Sequence, residues 1–215
     1  MYQAVIFDMN GVIVNDERIH QEAWKRLLSA HKIFVSEEDF THNIFGRTEK
    51  ETLQRVLDRE LSPQEIENYS NERVNIAIEL FRPNIQATPG LIEFIQSLKS
   101  IDIKIGIATS SRNRYKDFII HSLGLTHSFD AIVTAEDIEN GKPNPEIYLK
   151  TAEKLLIDPT TCLVFEDTKS GIQSAKDAGM KVVGITTTHT RDFLQSADFI
   201  IDSFEGIGLT DFIKY

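Results

Sequence analysis

Four short stretches of the chain carry residue types that do chemistry together: Asp8-Met9-Asn10-Gly11-Val12, Thr109-Ser110-Ser111, Gly141-Lys142-Pro143 and Glu166-Asp167. They supply a carboxylate able to attack, a hydroxyl donor, a cation and an acidic pair. Phosphoryl transfer needs such a set, because the developing charge spreads over non-bridging oxygens and must be met by a metal ion, a lysine and fixed donors. Taken singly, each residue has a plainer role open to it. Asp8 can be a turn or cap residue, and Thr109 can satisfy a helix N-terminus. Lys142, between two turn-formers, can be a solvated loop cation, and Glu166 can be an outlying or exposed acid. The elements that carry these stretches therefore decide their reading.

Apolar runs rich in β-branched residues at 4–7, 103–108, 131–134, 162–165 and 181–185 read as buried parallel strands. Between them, 91–99, 114–123, 146–156 and 171–178 have apolar residues at helical spacing. Strand and helix in alternation imply a Rossmann-like α/β core, a parallel sheet covered on both faces with right-handed crossovers. Each chemical stretch then follows a strand or lies in a loop, at the carboxyl ends where open parallel sheets gather ligands. Residues 15–81 break the rhythm and read as an all-helical insert. Ile19 to Ala30 carries Trp24, Leu27 and Leu28, and Ser36-Glu37-Glu38-Asp39 is a helix start. In Ser62-Pro63-Gln64-Glu65, Ser62 is the N-cap, Pro63 the first helical residue and Glu65 the capping-box partner. Pro83 and Pro89-Gly90 mark the return to the core. The expected organisation is a core of residues 1–14 and 82–215 and a helical domain of residues 15–81, with the site at their junction.

Composition bounds the function classes. The chain has 215 residues, 41% of them apolar, enough for a real hydrophobic core. Its net charge of −10, with no dense Lys/Arg cluster, argues against a nucleic-acid or anionic-membrane footprint. Cys162, the one cysteine, lies in an apolar stretch and reads as a small buried hydrophobe. The six His residues show no metal-ligand spacing. Neither a signal-peptide pattern nor an apolar run of about 20 residues is present, so a cytoplasmic protein, monomeric or dimeric, is expected.

The four stretches, in this order, resemble the motifs of the haloacid dehalogenase superfamily. Asp8 to Val12 matches its Asp-x-Asp-Gly-Thr/Val motif except at the third place, Thr109 its strand-end hydroxyl, and Lys142 the lysine of its Gly-Lys-Pro-x-Pro stretch. Glu166-Asp167, before Ser170-Gly171-Ile172, matches its acidic pair. One motif alone is weak; four in order on the right elements are specific, and the resemblance covers almost the whole chain. It implies that Asp8 attacks phosphorus to form an aspartyl-phosphate. It also implies that Mg²⁺ sits between Asp8, the main-chain carbonyl of Asn10 and Asp167, with Glu166 nearby. Thr109, with Ser110, Ser111 and the adjacent amides, would hold phosphoryl oxygens, and Lys142 would neutralise both phosphate and Asp8. The helical insert would be a cap that closes over the site and chooses the substrate, a small phosphate ester.

Position 10 departs from the pattern. Most phosphatases and mutases of the family have a proton-shuttling Asp there, and a carboxamide cannot shuttle a proton at neutral pH. Three explanations stay open: an Asp→Asn exchange introduced at this position, a leaving group that needs no protonation, or Asp16, Glu17 or His20 acting instead. At the substrate end, His20 and Trp24 resemble the β-phosphoglucomutase branch. Phe45 stands where sugar-phosphate mutases commonly have Lys, and Gly46-Arg47-Thr48 is more similar to the family's small-phosphate phosphatases. Arg47 and Lys50 are candidates to grip a distal phosphate, against the alternative of a solvated helix face. A phosphatase leads, a sugar-phosphate mutase follows, and a silent phosphometabolite-binding protein is the reading from another class.

Overall fold

The computed structural model of the chain describes residues 2–36 and 49–213. It forms two compact units, one of Met1–Asn15 with Ile85–Tyr215 and the other of Asp16–Asn84. The division thus falls slightly later than the expected 14/15 and 81/82. Asn15 stays with the α/β unit, its Nδ2 donating to Thr187 O at 3.0 Å. At the other end a 3₁₀ turn, Arg82–Asn84, prolongs the preceding helix.

The α/β unit is a single sheet of six parallel strands: β1 (Ala4–Phe7), β2 (Lys104–Ala108), β3 (Ala131–Val133), β4 (Cys162–Glu166), β5 (Lys181–Ile185) and β6 (Phe199–Ile201). Their order is β3-β2-β1-β4-β5-β6. The chain steps outward from β1 through β2 to β3, then returns to the other side of β1 to lay down β4. The carboxyl ends of β1 and β4 therefore flank the point where strand order reverses, the crevice in which open α/β sheets bind ligands.

All four residues of β1 are buried, because both faces of the sheet are covered. Ala4 and Ile6 pack in a cluster with Val164, Ile147, Tyr148 and Ile172. On the other face Phe7 stacks on Phe165 at 5.3 Å and meets Phe94 edge-on at 6.2 Å, while Phe94 stacks on Phe204 at 5.5 Å. Such ring pairs add to the area they bury. Cys162 is fully buried in this core, which pushes its thiol up to about 12 and leaves it an inert hydrophobe.

The helical unit contains α1 (Glu17–Ala30), α2 (Glu49–Val56) and α3 (Pro63–Phe81). Trp24, Leu27 and Leu28 of α1 pack with Leu53 and Leu61. The capping box at Ser62 is complete: Glu65 N donates to Ser62 Oγ at 3.3 Å and Ser62 N to Glu65 Oε2 at 2.9 Å. The helix expected from residue 36 onward and the stretch at 45–48, Arg47 included, lie outside the described residues. The core helices follow as α4 (Leu91–Ser100), α5 (Asn113–Ser122), α6 (Glu146–Leu155) and α7 (Lys169–Asp177). No helix among the described residues is long and apolar enough to cross a membrane.

Candidate active site

Ile107, Phe7 and Phe165 form one row across β2, β1 and β4. The next residue on each strand is Ala108, Asp8 and Glu166, and the Asp8 amide donates to Phe165 O at 3.0 Å, keeping that register past the strand end. Lys142, from the loop before α6, lays its ammonium across all three. Nζ lies 3.3 Å from Ala108 O, 2.6 Å from Asp8 Oδ1 and 2.6 Å from Glu166 Oε1. Asp8, Lys142 and Glu166 are all nearly or fully buried. Burial alone would push the Lys142 ammonium down, but the charges of Asp8 and Glu166 outweigh it and hold it above the ordinary lysine value. Removing one member of such a buried set leaves an uncompensated charge, at a general cost of about 3–5 kcal/mol.

Glu166 is saturated with donors. Oε1 accepts from Lys142 and from the Tyr148 hydroxyl at 2.8 Å, and Oε2 from the amides of Asp167 and Thr168 and from Thr168 Oγ1. Burial would raise its carboxyl, yet Lys142 and these hydrogen bonds leave it below the ordinary value. This is the geometry of an anchor for Lys142, beside the place where the resemblance puts the metal ion. Gly171 allows the arrangement, since a Cβ there would come within 1.8 Å of Glu166 Oε1.

Asn10 turns its Oδ1 toward the hydroxyls after β2. Ser111 Oγ donates to it at 2.7 Å and Thr109 Oγ1 lies at 3.5 Å. Thr109 is fully buried, and its Oγ1 also accepts from Ser111 N at 3.1 Å. Ser110 between them is exposed. Thr109 and Ser111 thus converge on the loop that follows Asp8, while Ser110 does not.

Asp167 completes the set. Its Oδ2 accepts from Thr188 Oγ1 at 2.5 Å. The carboxyl lies directly over Gly11, where φ is +75° and an added Cβ would come within 1.9 Å of Oδ2. Burial first, then the charges of Glu166 and Asp8, push Asp167 well above the ordinary carboxylate range. Three buried carboxylates thus share one buried lysine that touches two of them. Among the described residues no group of three His, Cys, Asp or Glu is arranged as a ready metal cluster. A site built from two carboxylates, a main-chain carbonyl and water does not need one. The oxygen-only donors fit a small hard divalent ion.

With this geometry in place, the comparisons with known proteins become specific. Residues 5–185 match the family model described as haloacid dehalogenase-like hydrolase. The chain belongs to that family. It is 34% identical over 180 residues to the phosphorylated carbohydrates phosphatase of Thermotoga maritima, covering 83% of this chain and 82% of that protein. It is 33% identical over 192 residues to the β-phosphoglucomutase of Bacillus subtilis, covering 85% and 83%. Among solved structures, a HAD hydrolase, family IA, variant 3, from Entamoeba histolytica aligns with a TM-score of 0.88 at 34% identity, covering 98% of this chain and 97% of that one. The chain is accordingly an enzyme of the phosphatase or phosphomutase kind.

Of the remaining candidates in this haloacid dehalogenase-like hydrolase, His20 and Lys50 belong to the helical unit. The His20 ring bridges Asp16 Oδ2 at 3.2 Å and Arg73 Nη1 at 3.2 Å, while Arg73 Nε donates to Glu49 Oε1 at 2.7 Å. Lys50 is exposed on the first turn of α2. Sequence reasoning missed two residues of the site, Tyr148 and Thr188. Nothing local marks Tyr148, whose hydroxyl acts through Glu166 and whose ring faces Lys142 Nζ at 5.1 Å. Thr188 had a signal: it stands in the polar run Thr186-Thr187-Thr188 after β5, the kind of strand end that revealed the others.

Proposed function

We propose that this chain is a Mg²⁺-dependent phosphatase of a small phosphorylated metabolite, working through an aspartyl-phosphate on Asp8. The observation that carries the reading is the Lys142 ammonium held between Asp8 and Glu166 across the tops of three adjacent strands. It fixes the carboxylate for attack and places a positive charge where phosphoryl oxygens need one. In the first step an Asp8 carboxylate oxygen bonds to phosphorus as the ester P–O bond breaks. The departing oxygen takes its proton from water, because Asn10 can donate a hydrogen bond but no proton. In the second step a water oxygen bonds to phosphorus, the Asp8–phosphorus bond breaks, and inorganic phosphate leaves. Thr109, Ser111 and the neighbouring amides steady the phosphoryl oxygens through both steps. Asp8, the Asn10 carbonyl and Asp167 would hold Mg²⁺, which when bound neutralises charge on those oxygens.

The activity named for the Thermotoga maritima relative supports phosphorylated sugars as the substrate class. Likeness to a β-phosphoglucomutase favours a second reading, in which a sugar hydroxyl replaces water in the second step. Incubating the chain with Mg²⁺ and a panel of phosphate esters, with Asp8→Asn as control, tests the proposal. Phosphate release that the control abolishes is expected, and no release from any ester sinks the phosphatase reading. A coupled assay with β-glucose 1-phosphate and a bisphosphate activator separates mutase from phosphatase.

A further inference from the structure

The loop after β5 touches three parts of the α/β unit at once. Thr187 Oγ1 donates to the carbonyl of Gly11, Asn15 Nδ2 donates to Thr187 O, and Thr188 Oγ1 meets Asp167 Oδ2 at 2.5 Å. On its other side Thr188 Oγ1 lies 2.8 Å from His189 Nδ1. The His189 ring stacks on Phe193, centroids 4.1 Å apart and planes 19° from parallel, which fixes its orientation. At 2.5 Å the contact to Asp167 is as short as a hydroxyl makes to a carboxylate. Thr188 Oγ1 directs its proton into the hydrogen bond to Asp167 Oδ2, and its oxygen can accept from His189 in the Nδ1–H tautomer. Chained donors of this kind polarise one another.

The geometry points to Thr188 as a positioning residue that sets the affinity of the site for its divalent ion, by occupying Asp167 Oδ2 and holding the carboxylate in one rotamer over Gly11. This rests on the metal site proposed above. Without that donor the carboxylate can turn about its Cβ–Cγ bond and loses the partner that fixes which oxygen is presented. Outer partners of ligating groups generally carry 10–100-fold in metal affinity.

The test is Mg²⁺ binding to the intact chain without substrate, by titration calorimetry and by the Mg²⁺-dependent rise in melting temperature. Thr188→Val, which keeps the shape and removes the donor, is expected to weaken Mg²⁺ binding by about tenfold or more, with Thr188→Ser within about threefold of the parent. Thr188→Ala serves if the valine variant fails to fold. Parent-like affinity in the variants lacking the hydroxyl, or a serine variant as weak as they are, overturns the assignment. Asp167→Asn is run alongside. If it binds Mg²⁺ like the parent, the metal reading of Asp167 fails and the role of Thr188 falls with it, whereas loss of binding in Asp167→Asn with none in Thr188→Val refutes Thr188 alone.

Discussion

Asn10→Asp is the substitution on which the catalytic reading turns. Asn10 Oδ1 already accepts from Ser111 Oγ at 2.7 Å, with Thr109 Oγ1 at 3.5 Å, and a carboxylate oxygen in the same place accepts the same hydroxyls. The contacts on that oxygen therefore survive the exchange. What changes is the other atom of the side chain, an amide nitrogen that becomes an oxygen able to carry a proton. Half-buried and two residues from Asp8, the new carboxyl is driven by burial and like charge toward its neutral form. That is the form a general acid must hold near neutral pH. General acid and base catalysis contributes about 10²–10⁴ in rate, or roughly 3–5 kcal/mol of barrier. Steady-state phosphate release from the best ester of the panel, at saturating Mg²⁺, should show kcat rising by about that factor with KM little changed. The parent sample needs its intact mass checked, because Asn10-Gly11 is prone to deamidation and any aspartate formed sets a floor on the apparent parent rate. Equal kcat in the two proteins, with deamidation excluded, refutes the role given to position 10.

Two further outcomes follow from the hydrogen bonding. Tyr148→Phe keeps the ring beside Lys142 and removes the hydroxyl that donates to Glu166 Oε1. It should lower unfolding free energy by about 1.5–3 kcal/mol in urea titration, as loss of a hydrogen bond to a charged group does, and an unchanged midpoint would show that the hydroxyl does not matter. In the helical unit, the Arg59 guanidinium foremost, then the Ser62 amide and hydroxyl, hold the Glu65 carboxyl at about 2 instead of 4.5. Because the folded value is depressed, the stability it contributes is present above the ordinary value and is lost as pH falls through about 2. NMR titration of the Glu65 carboxyl should give that midpoint, and a midpoint near 4.5 would count against the capping contacts.

The sheet was legible because strands buried on both faces must be apolar throughout, and 4–7, 131–134, 162–165 and 181–185 have no other way to satisfy that environment. The edge strand β6, Phe199–Ile201, only partly buried at its first two residues, was not read from the sequence. Asp8, Thr109 and Glu166-Asp167 could be singled out because a parallel sheet presents its strand ends on one side, whereas Lys142, in a loop, was singled out by the order of the four motifs. Packing decided the partners. Glu166 and Asp167 are neighbours in the chain, yet one faces five donors and the other leans over Gly11 toward Thr188. Which way each points depends on Tyr148 and on Thr188, the second of them 21 residues away from the carboxylate it holds. Local sequence carries no record of such distant contacts, since they form only when helix and loop close over the strand ends.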